Sequence, residues 1–249
     1  MQIQFTQEEA SLLNTVAEQA ALLNTPAFAV GGFVRDKLLD RPTKDIDIVC
    51  LGDGLALATA FANQFSPKPP VSLFKTFGTA LVKLHSIEIE FVGARKESYA
   101  RDSRKPSVLP GSIEDDQNRR DFTVNALAVS LIKNDFGKLI DPFGGIEDLK
   151  NKILRTPLAA EKTFDDDPLR MMRAIRFATQ LNFEITQETF SAIQKMASRI
   201  TIVSQERITE ELQKMMQTAV PSKGWYLLKE AGCRNIREYN EKFAERKLS

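Results

Sequence analysis

The chain has 249 residues, 43% of them hydrophobic and 27% charged, which is typical of a globular protein with one large domain or two modest ones. A formal net charge of +1 does not indicate a nucleic-acid binder, and no apolar run approaches the ~20 residues that cross a membrane, so a membrane partner is not expected. Cys50 and Cys233 lack metal-ligand spacing and are expected to be reduced thiols. The protein is expected to be cytoplasmic, without a signal peptide. The single histidine, His85, excludes a histidine-rich metal site.

The first part of the chain alternates helical and strand-like patterns. Residues 7–23 carry apolar residues at helical spacing, which predicts an amphipathic first helix. A further helix is predicted at about 55–64, and strands are predicted at 27–30, 46–50, 71–75, 80–85 and 87–92. Segment 93–118 is polar and contains two prolines and two glycines, so we predict a long functional or mobile loop there. A helix is then predicted from about Phe122 to Leu131.

Strand patterns are absent beyond about residue 160. Helices are predicted at 168–181, 187–197, 204–217 and 221–231. The fold class is therefore predicted to be α+β, with a mixed sheet and helices followed by an all-helical region. The predicted organisation is an N-terminal helix (1–23), a sheet-containing domain (24–154), a helical domain (155–232) and a polar tail (233–249).

The segment VGGFVRDKLLDRPTKDIDIV at residues 30–49 carries the strongest chemical signal. Gly31 and Gly32 lie between a predicted strand and a short helix that carries Arg35. Glycines at such a junction let backbone N–H groups approach phosphate oxygens, and the start of a helix favours negative charge. A plain tight turn is the alternative interpretation.

Two carboxylates follow on the next predicted strand. Asp45 and Asp47 are two residues apart and therefore project to the same face, with Ile46 and Ile48 directed to the core. Two hard oxygen ligands on a rigid strand suit Mg²⁺, which prefers few protein ligands together with substrate phosphates. A solvated acidic face on a half-exposed sheet would give the same pattern.

A third carboxylate lies in the strand-like segment IEIEFV. Glu88 and Glu90 share one face of this strand, and its apolar residues occupy the other. If this strand lies beside the one that carries Asp47, Glu90 joins a site of the kind that two-metal catalysis requires. Otherwise Glu90 is a solvent-facing glutamate on a half-buried strand.

A second chemical signal is the arginine-rich segment FDDDPLRMMRAIRFATQLNF. Asp167 before a proline predicts a helix start, with the aspartate as N-cap. Arg170, Arg173 and Arg176 then fall within an arc of about 120°. Asp167 with an arginine offers acceptors and donors to the edge of a base, and further arginines suit phosphates. A solvated arginine row opposite a packed face is the alternative.

The segment NRRDFTVNALAV contributes Arg119, Arg120 and Asp121 at a loop–helix junction. Such a basic doublet often binds nothing, Asp121 could simply cap the helix, and Asn125 could be an exposed helical residue.

In order along the chain, these motifs resemble the class II nucleotidyltransferases, which include the CCA-adding tRNA nucleotidyltransferases and bacterial poly(A) polymerases. The resemblance covers roughly residues 24–232. The motifs that carry it are VGGFVRD, KDIDIV, IEFVGARKE, RRDFTVNALA, LIDPFGG, DDPLRMMRAIRFA and QERITEELQKM. It implies a polymerase-β-like nucleotidyltransferase head over 24–154 and a nucleobase-reading neck over 155–232.

The resemblance also implies roles for particular residues. Asp45 and Asp47 would bind two Mg²⁺ ions, with Glu90 as a further catalytic carboxylate. Asp167 and Arg170 would read the incoming base. The nucleotide-binding residues implied by the family are Gly31, Gly32, Arg35, Arg120, Asp121, Asn125, Asp167, Arg170, Arg173 and Arg176.

The implied reaction adds C and A nucleotides to the 3′ end of tRNA from CTP and ATP and releases pyrophosphate. Poly(A) polymerase, CC-adding and A-adding activities remain alternatives within the family, and a catalytically impaired RNA-binding fragment is an alternative from another class. The sequence departs from the family in two places. Asp166 stands where a glutamate is usual, and the tail CRNIREYNEKFAERKLS is too polar to continue a core helix. We therefore expect a truncated or frame-altered version that retains only the head and neck.

Overall fold

The computed structural model describes residues 3–98 and 107–232. These residues form two compact units: a sheet unit (residues 3–98 and 107–150) and a helical unit (residues 151–232). The division falls shortly before the boundary predicted at residue 154, and the predicted polar tail at 233–249 lies outside the described residues. Within the described ranges, no helix combines the length and the apolar character needed to cross a bilayer.

The sheet unit contains a central sheet, a separate hairpin and five helices among its described residues. Its strands are β1 Ala27–Val30, β2 Asp45–Cys50, β3 Val71–Phe74, β4 Thr79–Leu84, β5 Ile87–Gly93, β6 Arg95–Ser98, β7 Ser107–Pro110, β8 Ala128–Ser130 and β9 Leu139–Ile140. Its helices are α1 Gln7–Leu22, α2 Gly32–Leu38, α3 Gly54–Ala62, α4 Ile113–Asn118 and α5 Gly145–Asn151. The five strands and two helices predicted before residue 93 are confirmed to within two residues at their ends, and α2 follows the glycine turn as predicted.

The central sheet has seven strands in the order β3-β4-β5-β2-β1-β8-β9. Neighbouring strands are antiparallel except for β2 and β5, which pair in parallel. A core cluster against the sheet includes Phe28, Val30, Val49 and Ala128. The strands that carry the acidic residues therefore lie in the interior of the sheet, where neighbours on both sides fix their positions.

The prediction of a long loop over 93–118 is wrong for the residues that the structure describes. β6 and β7 form an antiparallel hairpin, and α4 follows it. The side chain of Ser112 accepts from the backbone of Asp115 while Asp115 accepts from the backbone of Ser112, and this capping box starts α4. A mostly polar hairpin is stabilised by backbone pairing, so it leaves no hydrophobic period in the sequence.

The predicted helix from Phe122 to Leu131 is also wrong. A 3₁₀ turn at Thr123–Asn125 is followed by β8, which is fully buried between β1 and β9. A strand buried on both faces is apolar at every position, and periodicity cannot distinguish such a run from a buried helix.

The four helices predicted in the helical unit are confirmed to within one residue at their ends, and the structure adds a fifth, Ala160–Asp166, that was not predicted. The helices of this unit are α6 Ala160–Asp166, α7 Leu169–Leu181, α8 Gln187–Met196, α9 Gln205–Met216 and α10 Pro221–Glu230. One small exception to the all-helical prediction is a two-residue parallel pairing of β10 Ile153–Leu154 with β11 Glu184–Ile185. α7 is the central helix and packs against α6, α9 and α10.

Candidate active site

The acidic residues of β2 and β5 meet on one face of the sheet. The parallel pairing aligns Asp45 with Glu88 and Asp47 with Glu90. Ile46, like the other alternate positions, is buried against the core, so the carboxylates face away from it. The two strands are neighbours, so the condition on which Glu90 joins the site is met, and their pairing places Glu90 directly across from Asp47.

Burial and mutual repulsion make these carboxylates costly to ionise. Burial raises the pKa of Asp47, and the negative charges of Asp45 and Asp116 add to this effect, while Arg120 opposes it. Burial also raises the pKa of Glu90, and the charge of Asp47 adds to it. The charged forms of Asp47 and Glu90 are therefore disfavoured at this site, mainly because the two side chains are partly shielded from water.

Carboxylates that are costly to ionise on their own fit a site for a divalent cation. Carboxylate oxygens are the ligands that Mg²⁺ prefers, and Asp45 and Asp47 supply them from one rigid strand. In the parts of the chain that the structure describes, no three acidic, histidine or cysteine side chains come together as a ready metal-binding group. Asp45 and Asp47, with Glu90 beside them, are thus a partial ligand set that substrate phosphates would complete.

The turn between β1 and α2 brings the backbone of Gly31 close to the carboxylates. Gly31 has φ +72° and ψ −132°, a conformation that side chains disfavour. A Cβ on Gly31 would lie 2.7 Å from Nη1 of Arg120 and 3.3 Å from Oδ2 of Asp47. At Gly32, which begins α2, a Cβ would meet only Nη2 of Arg35, at 3.6 Å. Gly31 is therefore required both by its backbone conformation and by the close approach of Arg120.

Arg120 is held beside this turn by a buried aspartate. Nε and Nη2 of Arg120 lie 2.9 and 2.8 Å from Oδ2 of Asp116, whose other oxygen contacts Nη2 of Arg119. Burial opposes the charge on Arg120, but Asp116 and Asp47 outweigh it and raise the pKa of Arg120 above its ordinary value. The sequence reasoning did not single out Asp116. Its separation from Arg119 and Arg120 by three and four residues is the signal that could have found it.

Arg35, Asn125 and Asp121 form a connected chain of hydrogen bonds. Arg35 is buried, and its Nη1 donates to Oδ1 of Asn125 at 2.6 Å while Nε and Nη2 donate to Asp36. Nδ2 of Asn125 in turn donates to Oδ1 of Asp121 at 2.9 Å. This chain connects α2 to the turn at residues 121–125, and Asn125 is buried rather than exposed on a helix. The contact of Arg35 with a triphosphate stays a prediction.

In the helical unit, Asp167 lies where α6 ends and α7 is about to begin. The N-cap position of α7 is Pro168, one residue after the predicted Asp167, although Asp167 itself has the extended backbone that an N-cap residue adopts. Oδ1 of Asp167 nevertheless accepts from the backbone N–H of Leu169 at 3.1 Å. Asp167 thus stabilises the first turn of α7 from one position further out.

The three arginines of α7 lie on the helix as predicted, but they do not form an open row. Nε of Arg176 donates to Oε2 of Glu211 on α9 at 2.5 Å, and Nη1 of Arg170 donates to the carbonyl of Thr163 at 3.4 Å. Arg173 is more exposed and lies 3.8 Å from Oε1 of Glu211. The interpretation of an arginine face opposite a packed face is corrected, because neighbouring helices cover α7 on nearly every side.

Asp47→Asn should raise the thermal stability of the protein in the absence of divalent metal. Because the pKa of Asp47 is raised on folding, the native state binds more protons than the unfolded state at pH values between the two pKa values. Stability therefore falls as the pH rises through this window, and the loss is complete once the pH exceeds the pKa of Asp47 in the folded protein. Thermal unfolding in chelator from pH 7 to pH 4 should show a higher melting temperature for the variant at pH 7, with the difference shrinking on acidification. A variant that melts below wild type at pH 7 would contradict the assigned charge cost.

Comparison with known proteins agrees with the geometry of the site. A family model described as the Poly A polymerase head domain matches residues 27–155, and one described as a probable RNA and SrmB-binding site of polymerase A matches residues 182–235. The A-adding tRNA nucleotidyltransferase of Halalkalibacterium halodurans is 36% identical over 221 residues, which are 87% of this chain and 51% of that protein.

Two further similarities lead to the same group of proteins. The CCA-adding enzyme of Anoxybacillus flavithermus is 37% identical over 223 residues, or 89% of this chain and 53% of its own length. A solved CCA-adding enzyme in complex with ATP superimposes with a TM-score of 0.80 at 31% identity, covering 93% of this chain and 53% of that one. The chain thus spans about half the length of these relatives. Since the head-domain model covers more than half of the chain and the paired carboxylates lie within it, the chain belongs to the class II nucleotidyltransferase family of CCA-adding enzymes and bacterial poly(A) polymerases.

Proposed function

We propose that this chain adds C and A nucleotides to the 3′ end of tRNA, using CTP and ATP and releasing pyrophosphate. The observation that carries the proposal is the alignment of Asp47 with Glu90 across the parallel pair, beside the turn at Gly31 and the guanidinium of Arg120. A carboxylate face adjacent to a basic group and a glycine turn is the arrangement that a metal-bound triphosphate requires. The cytoplasmic location expected from the sequence is part of the same proposal.

In the proposed reaction, the residues of the sheet unit bind and orient the triphosphate. Asp45 and Asp47 would hold two Mg²⁺ ions, with Glu90 assisting. Bound there, the ions would supply positive charge to the RNA 3′-hydroxyl and to the leaving pyrophosphate. Arg120 approaches the triphosphate from the edge beside Gly31.

Catalysis of this kind depends on positioning and charge stabilisation rather than on a protein base. His85, the only histidine, stands on a turn outside the carboxylate face with φ +53°. The absence of a histidine from the proposed mechanism is therefore no obstacle to transfer. The Arg35–Asn125–Asp121 chain is proposed to hold α2 and the turn at residues 121–125 in register behind the nucleotide.

The residues of the helical unit are proposed to select the nucleotide. Asp167 and Arg170 lie at the start of α7 and together offer acceptors and donors suited to the edge of a base. Arg173 and Arg176 follow on the same helix. The contact between Arg176 and Glu211 fixes the position of Arg176, and residues that select a base must be held rigidly.

Addition of A alone is the second candidate. It is favoured by a specific observation, because relatives named A-adding tRNA nucleotidyltransferases match this chain at 43% identity over 163 residues and at 36% over 221 residues. The geometry at Asp45 and Asp47 serves either reaction, because the chemistry of phosphoryl transfer is the same for CTP and ATP.

Nucleotide incorporation into tRNA transcripts tests the proposal. Transcripts that end before, within and after the CCA sequence should be incubated with CTP, with ATP or with both, in the presence of Mg²⁺. Full CCA addition to the shortest transcript is the expected result, and extension only of the transcript ending in CC, with ATP alone, would establish A addition. Binding of ATP and CTP that depends on Mg²⁺, without any extension, would overturn the proposal in favour of a catalytically impaired RNA-binding protein.

A further inference from the structure

Asp116 is a fully buried carboxylate beside the proposed triphosphate site, and nothing in the proposed reaction uses it directly. It lies in the last turn of α4 and has no exposed surface. A carboxylate in this position is costly unless opposite charges surround it. Burial opposes its ionisation, but Arg120 and Arg119 outweigh this effect and lower the pKa of Asp116 below its ordinary value.

The contacts of Asp116 determine which edge of Arg120 remains available. Nε and Nη2 of Arg120, which form one edge of its guanidinium, both contact Oδ2 of Asp116. Nη1 is directed instead toward Gly31, where a Cβ would lie 2.7 Å away, and its one hydrogen bond to a described residue is a long one, 3.4 Å to the carbonyl of Asn125. A guanidinium held by one edge has a single orientation, and here that orientation presents Nη1 to the turn beside Asp47.

Arg119 completes this arrangement from the other side. Its Nη2 contacts Oδ1 of Asp116, so each oxygen of the carboxylate is engaged by a different arginine. Asp116 therefore cannot rotate without losing one of the two contacts. Because it is fully buried, it also cannot touch a nucleotide itself, and Arg120, whose Nη1 faces the Gly31 turn, is the contact through which its position can affect the ligand.

We propose that Asp116 is a positioning residue that fixes Arg120 so that Nη1 faces the phosphate groups of the incoming nucleotide beside Gly31 and Asp47. This inference rests on the proposed function, because it assumes a nucleoside triphosphate at that site. Asp116 thereby determines how strongly the phosphate end of the nucleotide is bound, while the base end does not depend on it.

The test measures equilibrium binding of ATP and of AMP, by calorimetry with Mg²⁺ present, to the full chain and to its variants. Asp116→Asn should weaken ATP binding by about 10- to 100-fold, the range found when a supporting partner of a binding group is removed. AMP binding should change much less, so the ratio of the two affinities should fall. A general loss of structure would weaken the binding of both nucleotides and leave that ratio unchanged.

A double-mutant comparison assigns the effect to Arg120. Asp116→Asn combined with Arg120→Ala should bind ATP no more weakly than Arg120→Ala alone, because the proposed role of Asp116 is to hold that arginine in place. Glu114→Gln is the matched control, since it removes an exposed carboxylate from the same helix and should leave both affinities unchanged. Thermal unfolding of each variant reports whether the fold is intact.

Two results would overturn the inference while leaving the proposed function standing. In the first, Asp116→Asn binds ATP as tightly as wild type. In the second, Asp116→Asn lowers ATP affinity by the same factor in the Arg120→Ala protein as in the wild-type protein. If Asp116→Asn does not fold, Asp116→Glu is used in its place, because it retains the negative charge but displaces the guanidinium of Arg120. The same fall in the ATP-to-AMP affinity ratio is then expected, and an unchanged ratio would overturn the inference. Wild-type protein that binds no ATP at all would instead overturn the proposed function, and the inference with it.

Discussion

Replacing Asp47 with alanine should lower nucleotide incorporation by about 10³-fold or more while leaving the protein folded, because the variant removes the carboxylate that we propose as a metal ligand at the centre of the site. Asp47 is the carboxylate aligned with Glu90 and closest to the Gly31 turn. β2 is held in the sheet by backbone pairing with β1 and β5, which does not depend on the side chain of Asp47. In this variant, nucleotide incorporation should therefore fall while the protein stays folded.

Glu88→Ala is the matched control for this prediction. Glu88 occupies the same face of β5 as Glu90, but its side chain pairs with Lys83 at an exposed position, where an ion pair contributes little to stability. Incorporation by this control should stay close to wild type. The measurement is nucleotide incorporation over a range of Mg²⁺ concentrations, together with thermal unfolding of both variants. An Asp47→Ala protein that incorporates nucleotides at near-wild-type rates would contradict the assignment of the metal site.

The second large effect is expected at Gly31. Gly31→Ala should destabilise the protein by about 3 kcal/mol, on the order of 10 °C in melting temperature, because strain at positive φ adds to an overlap with Arg120. The new methyl group would lie 2.7 Å from Nη1 of Arg120, so the guanidinium must move away from the site. ATP affinity should fall together with stability.

Gly137→Ala separates the two causes. Gly137 also has a positive φ, +81°, but nothing lies within 4 Å of the position that its Cβ would take. This control should show the backbone strain alone, with ATP affinity unchanged. Measurement of melting temperature and ATP affinity for both variants gives the steric contribution by difference. If the two variants lose equal stability and both retain ATP binding, the close approach of Arg120 to Gly31 has no energetic consequence.

The sequence predicted the carboxylate site well because its signals are local. Alternation in β2 and β5 placed Asp47 and Glu90 on the faces opposite their isoleucines, and the structure confirms both assignments. The glycine pair likewise marked a strand–helix junction, and Gly31 has the positive φ that requires glycine. The pattern could not predict the register of the pairing, because the alternation within each strand does not determine which of its residues lie opposite each other in the sheet.

Other elements were missed because their stabilising contacts are not local. β8 has the apolar composition of a buried helix segment, and only its pairing with β1 and β9 identifies it as a strand. The arginines of α7 were correctly placed on one helix, but the partner Glu211 lies 35 residues after Arg176 on another helix. Asp116 was overlooked for a related reason. Its contacts with Arg119 and Arg120 matter because the Asp116 side chain is buried, and burial cannot be read from composition.

The parallel pairing of β2 with β5 also affects the order in which the molecule forms. Between these strands the chain must complete α3, β3 and β4, so contacts between Asp47 and Glu90 close a long loop. A nascent or partly folded chain has no equivalent anionic face, because neither strand presents both carboxylates alone. A cation that neutralises this face therefore binds only the completed sheet, and its binding free energy adds to the stability of the native state alone.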